Sequence, residues 1–248
     1  GHDVPLQTLL DAAIEGHGWV PMSDGQWLGI AEDLRQLLAA AAAAAERRGD
    51  EVSLRAVHAP LLDPLMAAGA SLDAPPAWVQ YAQRCREAGE LDVVLPDTLQ
   101  ATLRPYQEEG VRWMLGLAHW APGAVLADDM GLGKTIQTIT FLLARADRPS
   151  LVVAPTSLLH NWQRELARFA PSLDVSVFHG PSRTLEVAAG RVVLTTYGVL
   201  VQDQALLADV AFGTVVYDEA HAVKNPSSQR ARAASTLDAG FVLALSGT

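Results

Sequence analysis

Cysteine, lysine and long apolar runs are all scarce in this chain of 248 residues. Cys85 is the single cysteine, so the sequence contains no pair that could form a disulfide and gives no sign of an oxidising compartment. No apolar run approaches the roughly 20 residues that span a bilayer, and the first residues lack the charged and apolar regions of a signal peptide. These absences argue against a secreted or membrane protein, and we expect a cytoplasmic one.

The two lysines, Lys134 and Lys224, stand out because the other 16 basic residues are arginines. They are candidates for positions that need a compact ammonium group. The net charge of −10 argues against a generally basic nucleic-acid coat, but the charge is unevenly spread. Residues 1–95 hold 14 acidic and 6 basic side chains, whereas residues 96–248 hold 14 and 12. At roughly 150 residues per domain, this asymmetry predicts two units with different partners.

Residues 1–95 have the pattern of a small, mostly helical accessory domain with one β-hairpin. The hairpin is expected over residues 17–29, where Trp19 and Trp27 flank an Asp-Gly pair suited to a tight turn. Residues 39–45 are all alanine, the best helix former. Pro75 and Pro76 precede the segment 77–88 and Gly89 follows it, as helix start and stop signals do. Helices are therefore predicted over residues 31–48, 61–68 and 77–88. No residue in this domain suggests a chemical reaction.

Residues 96–248 alternate short β-branched runs with helix-length amphipathic segments. Strands are predicted over residues 124–127, 151–154, 175–178, 192–195, 214–217 and 242–245. Helices are predicted over residues 105–119, 135–145 and 157–169, with Trp113, Trp120 and Trp162 packing helices against the sheet. The alternation predicts an α/β fold with a parallel sheet flanked by helices. Ligands of such sheets bind beyond the carboxyl ends of the strands.

A glycine-rich segment with the sequence Asp-Asp-Met-Gly-Leu-Gly-Lys-Thr occupies residues 128–135, between a predicted strand and a predicted helix. Its glycines allow backbone N–H groups to face phosphates, and the helix dipole favours anions. Lys134 suits the β- and γ-phosphates of a nucleotide, and the Thr135 hydroxyl suits a magnesium ion. The generic phosphate loop has glycine where this chain has Asp128, so the segment needs support from a second motif.

That second motif is the pair Asp218 and Glu219, which ends the apolar strand predicted over residues 214–217. Asp218 is suited to the metal held by Thr135, and Glu219 to orienting or deprotonating the attacking water. An isolated Asp-Glu pair is usually a solvated strand end. Together with the phosphate loop, however, the pair predicts ATP and Mg²⁺ as cofactors and Lys134, Asp218 and Glu219 as the catalytic residues.

The two motifs, with Lys224 and Asn225 following the second, resemble those of the Swi/Snf-related ATPases of helicase superfamily two. The resemblance covers roughly residues 98–248 and implies that residues 96–248 are a RecA-like lobe, the first of the two lobes of a motor. Gln107, in a Leu-Arg-Pro-Tyr-Gln segment, is the implied contact of adenine. The ATP-binding residues that the resemblance implies are Arg104, Gln107, Asp129, Met130, Gly131, Leu132, Gly133, Lys134 and Thr135.

The resemblance also implies contacts with double-stranded DNA. A motor that holds phosphates without reading bases needs hydroxyl and backbone N–H donors more than a high net charge. The implied DNA-binding residues are Pro155, Thr156, Ser157, Thr195, Thr196, Tyr197 and Lys224. Ser157 has an alternative role as the cap of the following helix. His221 is expected to couple the ATP site to the DNA side by a hydrogen bond to Ser246 or Thr248.

The resulting hypothesis is an ATP-driven translocase on double-stranded DNA, nucleoid-associated if bacterial. The resemblance implies that a second lobe brings arginines to the γ-phosphate, and an arginine finger is worth on the order of 10³–10⁵ in rate in other phosphoryl-transfer enzymes. Because the chain resembles the first lobe alone, we expect weak nucleotide binding and little hydrolysis. One alternative is an ATPase that recycles or displaces RNA polymerase, with residues 1–95 binding that protein or another DNA-bound one. A second is a nucleotide-dependent binding module without catalysis. An RNA-unwinding helicase fits the two motifs less well.

Overall fold

The computed structural model describes residues 4–22, 25–48, 51–53, 58, 61–67, 75–89 and 91–247. The chain forms two compact units, residues 1–90 and 91–248. The boundary lies before residue 91 rather than residue 96, because Val93 and Leu95 pack against the hydrophobic core of the second unit. None of the helices among the described residues combines the length and apolar character required to cross a membrane.

The first unit contains short helices and antiparallel strand pairs. Its helices are α1 (Leu6–Ile14), α2 (Glu32–Ala44), α3 (Asp63–Ala67) and α4 (Pro76–Gly89). Its strands are β1 (Trp19–Pro21), β2 (Trp27–Gly29), β3 (Glu46–Arg48) and β4 (Glu51–Ser53). Trp19 pairs with Gly29, which confirms the predicted hairpin, although Asp24 of its turn lies outside the described residues. Leu10, Val20 and Leu38 form part of a small core between these elements.

The alanine-rich helix ends earlier than the sequence predicted. α2 stops at Ala44, and Ala45 already has an extended backbone with ψ of 142°. The predicted extension to residue 48 is wrong because β3 pairs with β4 there, and strand pairing overrides the weak preference of alanine for helix. The helix predicted at residues 61–68 is present as α3, with Ala68 outside the described residues, and the one predicted at residues 77–88 is present as α4.

The second unit is an α/β fold around a six-stranded parallel sheet. Its helices are α5 (Pro105–Leu117), α6 (Lys134–Ala144), α7 (Leu159–Phe169), α8 (Tyr197–Gln202), α9 (Gln204–Ala208) and α10 (Gln229–Ala234), with 3₁₀ turns at Thr156–Leu158 and Ala220–Val223. Its strands are β5 (Gly123–Leu126), β6 (Ser150–Ala154), β7 (Asp174–Val177), β8 (Arg191–Thr196), β9 (Ala211–Phe212), β10 (Thr214–Tyr217), β11 (Asp238–Ala239) and β12 (Val242–Leu245).

The large sheet has the strand order β5-β12-β10-β6-β8-β7, and β9 pairs separately with β11. Every neighbouring pair in the large sheet is parallel, and all six predicted strands are confirmed to within one residue at each end. The predicted α/β class and parallel sheet are therefore confirmed.

Side chains of the central strands alternate between two hydrophobic cores, one on each face of the sheet. In β10, Val216 belongs to the core that contains buried residues of α5, α6 and α7. Val215 and Tyr217 belong to the other core, which contains residues of α8, α9 and α10. Because successive residues of a strand point to opposite faces, Asp218 is directed to the face of α6 and α7.

Candidate nucleotide site

A cavity of about 420 Å³ lies beyond the carboxyl ends of β5, β6, β10 and β12. The four residues predicted for ATP chemistry line it together, namely Lys134, Thr135, Asp218 and Glu219. Of the other predicted ATP-binding residues, Met130, Gly131 and Gly133 line the cavity, whereas Arg104, Gln107, Asp129 and Leu132 do not. A wall that the sequence did not predict comes from α7, which contributes Asn161, Trp162, Glu165 and Phe169.

The phosphate loop owes its shape to two glycines in the left-handed region. Gly131 has φ of 86° and Gly133 has φ of 84°, a conformation that costs L-residues with a side chain about 1–2 kcal/mol. Gly133 also caps the N-terminus of α6, and a Cβ there would lie 2.4 Å from Nε2 of Gln107. The glycines thus permit a loop whose backbone N–H groups lie at a helix N-terminus, which is a ready site for phosphate.

The ammonium group of Lys134 is held by the loop itself. Its Nζ donates to the backbone carbonyls of Asp128 at 2.5 Å and Asp129 at 3.1 Å. A phosphate oxygen is a stronger acceptor for an ammonium group than a neutral carbonyl. The lysine is therefore placed to exchange these carbonyls for phosphate oxygens.

Residues in the first turn of α5 form hydrogen bonds with the phosphate loop. Gln107 donates from Nε2 to the Leu132 carbonyl at 3.0 Å, and its Oε1 accepts the backbone N–H of Arg104 at 2.9 Å. The Tyr106 hydroxyl donates to the same Leu132 carbonyl at 3.0 Å, a contact that the sequence did not reveal. Gln107 thus contacts the loop, and its predicted contact with adenine stays a prediction.

Asp218 is fixed by hydrogen bonds at both of its carboxylate oxygens. Oδ2 accepts the indole N–H of Trp162 at 2.8 Å, and Oδ1 accepts the backbone N–H of Glu219 at 2.9 Å. The Tyr197 hydroxyl donates to the Asp218 backbone carbonyl at 2.7 Å. Burial raises the pKa of the Asp218 carboxyl, and the two N–H donors oppose that shift. Burial, with the nearby charge of Asp218, also raises the pKa of Tyr197.

Glu219 is the only residue other than glycine with a positive φ in the part of the chain that the structure describes. Its φ is 51°, and its Oε2 lies 3.3 Å from Nδ1 of His221, whose side chain is 68% exposed. The predicted coupling of His221 to Ser246 or Thr248 stays a prediction. Ser246 directly follows β12, and its backbone N–H donates to the Leu126 carbonyl at 3.1 Å, while Thr248 lies outside the described residues.

The donor set of this cavity fits a magnesium ion. Thr135 and Asp218 both offer oxygen, the ligand type that Mg²⁺ prefers, and they line the same cavity. No group of three or more His, Cys, Asp or Glu that could hold a metal occurs among the described residues.

A second cavity, of about 270 Å³, shares Glu219 with the first. It brings together four of the residues predicted to contact DNA, namely Pro155, Thr156, Thr196 and Tyr197. Arg230 of α10 also lines it, with its guanidinium carbon 5.9 Å from the centre of the Tyr197 ring. Arg230 was not predicted, because no motif distinguishes it from the other arginines of the chain.

Most hydroxyls predicted to contact DNA form hydrogen bonds within the protein. Thr195 is fully buried, and its Oγ1 donates to the Phe178 carbonyl at 2.9 Å. The Oγ1 of Thr196 accepts the Val199 N–H at 3.2 Å and caps α8. Their predicted contacts with DNA, and those of Tyr197, stay predictions.

Ser157 and Lys224 are exposed and line neither cavity. The alternative role of Ser157 as a helix cap is wrong, because α7 begins at Leu159 with Leu158 as its N-cap and no side-chain cap. Both residues stay predicted contacts of DNA.

Comparison with known proteins identifies the family of the second unit. A family model described as the SNF2-related domain matches residues 106–248, which is more than half of the chain. The chain belongs to the family of SNF2-related domains. The resemblance expected from the phosphate loop and from residues 218–221 is thereby confirmed.

Relatives of this SNF2-related chain include the Bacillus subtilis protein YwqA, whose name describes an ATP-dependent helicase/translocase. It is 45% identical over 162 residues, which cover 61% of this chain and 18% of the relative. The helicase SWR1 of Candida albicans is 38% identical over 170 residues, covering 63% of this chain and 10% of that protein. The chain thus spans less than a fifth of the length of either relative.

Among solved structures, the SNF2-related chain is similar to the Sulfolobus solfataricus SWI2/SNF2 ATPase core in complex with dsDNA. The two are 40% identical with a TM-score of 0.59, over 64% of this chain and 34% of the other. The Sulfolobus solfataricus SWI2/SNF2 ATPase core domain gives 39% identity and a TM-score of 0.58, over 64% of this chain and 34% of the other. These matches confirm the RecA-like fold that the resemblance implied.

Proposed function

We propose that the second unit binds ATP with Mg²⁺ and that the intact protein uses ATP hydrolysis to move along double-stranded DNA. The observation that carries this proposal is the single cavity that Lys134, Thr135, Asp218 and Glu219 share. These are the residue types that phosphoryl-transfer sites place around a nucleotide. Membership of the SNF2-related family and relatives named as ATP-dependent helicases support the assignment.

Binding of the nucleotide would use the phosphate loop and the N-terminus of α6. Backbone N–H groups of the loop hold the phosphates, and the Lys134 ammonium leaves the carbonyls of Asp128 and Asp129 for the β- and γ-phosphate oxygens. Thr135 and Asp218 would hold the Mg²⁺ ion, which when bound neutralises the charge on those oxygens. The cavity therefore selects a nucleoside triphosphate by its phosphates.

Hydrolysis would use Glu219 as the group that positions and deprotonates water. The water oxygen forms a bond to the γ-phosphorus while the bond from that phosphorus to the β–γ bridging oxygen breaks, giving ADP and phosphate. The proton of the water passes to the Glu219 carboxylate. Because Glu219 also lines the second cavity, the position of its side chain is open to influence from a ligand there.

The 248-residue chain alone should turn over ATP slowly. Within the part of the chain that the structure describes, Lys134 is the only basic residue that lines the nucleotide cavity. An arginine directed at the γ-phosphate is worth on the order of 10³–10⁵ in rate in related chemistry. We therefore propose that hydrolysis at a useful rate needs residues beyond those of the described cavity.

Duplex DNA is the proposed polymer along which the protein moves, because the similar Sulfolobus solfataricus ATPase core was solved in complex with dsDNA. Residues 154–156 and 196–198 line the second cavity together with Arg230, whose guanidinium can bind a phosphate. Phosphate contacts of this kind hold the duplex without reading its sequence. The protein partner predicted for residues 1–95 stays a prediction.

The test is ATP turnover by the intact protein alone and with duplex DNA, single-stranded DNA or RNA, beside Lys134→Ala. Lys224→Ala is the matched control, because it removes the other lysine, which lies outside the nucleotide cavity. We expect duplex DNA to stimulate turnover strongly, Lys134→Ala to abolish turnover, and Lys224→Ala to keep the unstimulated rate.

Two other outcomes would contradict the proposal in different ways. Stimulation by RNA alone would remove the assignment to duplex DNA and leave the ATP site intact. Tight nucleotide binding without turnover under any condition would make the protein a nucleotide-dependent binding module.

A further inference from the structure

Trp162 lies where α7 meets the nucleotide cavity. The sequence predicts that Trp162 packs α7 against the sheet, and the residue is only 1% exposed. It also donates its indole N–H to Oδ2 of Asp218 at 2.8 Å, across a separation of 56 residues in the sequence. Packing alone does not require this hydrogen bond.

The packing of α7 determines where the indole N–H points. Leu159, Trp162 and Leu166 are the buried residues of α7, at the i, i+3 and i+7 positions of one helix face. All three belong to the core on this face of the sheet. A tryptophan ring enclosed in a close-packed core keeps a single orientation, so its N–H direction is set by the fold.

The two N–H donors of Asp218 reach different oxygens. Trp162 binds Oδ2, and the Glu219 backbone N–H binds Oδ1. A carboxylate has about four lone-pair sites, so each oxygen keeps one site for a further ligand. Because both oxygens are held by groups of fixed position, the carboxylate cannot rotate without breaking a hydrogen bond.

We propose that Trp162 is a positioning residue for the Mg²⁺ site, because its indole N–H holds the Asp218 carboxylate in a metal-binding orientation. The inference rests on the proposed function, which assigns Asp218 to the metal. Phenylalanine would fill most of the same space but has no donor. Outer partners of metal ligands commonly change metal affinity by 10–100-fold when removed.

The experiment compares Trp162→Phe with Trp113→Phe in the intact protein. Trp113 is a suitable control because it is 47% exposed on α5 and lines neither cavity. Three quantities are measured: Mn²⁺ binding in the presence of ADP by electron paramagnetic resonance, ADP affinity in EDTA, and ATP turnover against free Mg²⁺. The first two need no catalysis.

For Trp162→Phe we expect the Mn²⁺ dissociation constant to rise about tenfold. ADP affinity in EDTA should stay within twofold, and the lost turnover should be partly restored by excess Mg²⁺. Trp113→Phe should leave all three quantities unchanged. A folded Trp162→Phe protein with native Mn²⁺ affinity would overturn the proposal, and so would an equal loss of ADP affinity in EDTA.

A second measurement covers the case in which Trp162→Phe does not fold. The 248-residue protein labelled with ¹⁵N at its six tryptophans gives indole N–H resonances that can be assigned. In Asp218→Asn, the acceptor for Trp162 becomes a neutral amide, so the Trp162 indole resonance should move and the Trp113 resonance should not. An unchanged Trp162 resonance would overturn the hydrogen bond and the proposal with it.

The two proposals fail in distinguishable ways. If the unaltered protein binds no Mn²⁺ with ADP and hydrolyses no ATP, both the proposed function and the role of Trp162 are contradicted. If the unaltered protein does both and Trp162→Phe matches it, only the role of Trp162 fails.

Discussion

The two cavities beside Glu219 are built in different ways. The nucleotide cavity has left-handed glycines in its loop, a lysine held by two carbonyls, and a carboxylate held by two N–H donors. The second cavity has a threonine and a tyrosine that form hydrogen bonds within the protein, and one guanidinium, that of Arg230. The first cavity depends on particular side chains, whereas the second combines hydroxyls that are bonded within the protein with the opposite charges of Glu219 and Arg230.

This difference explains why residue types alone identified the first cavity, whereas the four predicted residues of the second cavity came from the family resemblance. Triphosphate chemistry demands specific atoms, so the residues that supply them form a recognisable motif. Holding a DNA backbone demands only donors and positive charge, which many residue types supply. Substitutions in each cavity test this contrast.

Glu219→Gln should lower ATP turnover of the intact protein by about 10²–10⁴-fold, because the variant cannot accept the proton of the attacking water. Glu165→Gln is the matched control, since Glu165 lines the same cavity but accepts a hydrogen bond from Asn161 at 3.2 Å. Steady-state turnover with duplex DNA checks the prediction, and nucleotide affinity should be retained in both variants. Equal losses of turnover in the two variants would contradict a specific role of Glu219, because removing either negative charge from the cavity would then have the same effect.

Gly133→Ala should destabilise the protein by about 2–3 kcal/mol and weaken nucleotide binding. The new Cβ would combine a left-handed φ with a position 2.4 Å from Nε2 of Gln107. Gly131→Ala has a similar φ but no atom within 4 Å of its Cβ, so it should cost only about 1 kcal/mol. Urea unfolding and nucleotide titration of the two variants measure both effects, and equal costs would contradict the role given to Gln107.

Arg230→Ala should weaken binding of duplex DNA and leave nucleotide binding unchanged. The loss of one phosphate contact should reduce the slope of log affinity against log salt concentration by about 1. Arg232→Ala is the control, because Arg232 is exposed on the same helix and does not line the second cavity. Titrations at several salt concentrations give the slopes, and identical slopes for the two variants would remove Arg230 from the DNA contact.

The sheet was predictable because its central strands are short apolar runs between clear helix signals. Residues 151–154 and 214–217 were placed to within one residue for this reason. The end of α2 was not predictable, because alanine favours helix wherever the chain permits it, and strand pairing of Glu46–Arg48 depends on contacts that propensity does not contain. α1 was missed, although Pro5 precedes it and Gly16, with φ of 73°, follows it as start and stop signals of a helix.

Within the candidate site, motifs identified Lys134, Thr135, Asp218 and Glu219, and the structure brings them together. The hydrogen bond from Trp162 to Asp218 could not be predicted, because the two residues are 56 positions apart in the sequence. The pairing of β6 with β10 brings their segments together. The Thr195 hydroxyl donates to the Phe178 carbonyl because β7 pairs with β8. A local sequence pattern does not reveal this pairing either.

The left-handed backbone of Glu219 has a consequence for protein engineering. With φ of 51°, glutamate at this position costs about 1 kcal/mol or more that glycine or asparagine would largely avoid. A search for thermostable variants would therefore favour replacing Glu219 early. Such a search would discard the carboxylate proposed to activate water, so selection for heat resistance and selection for turnover should diverge at this one position.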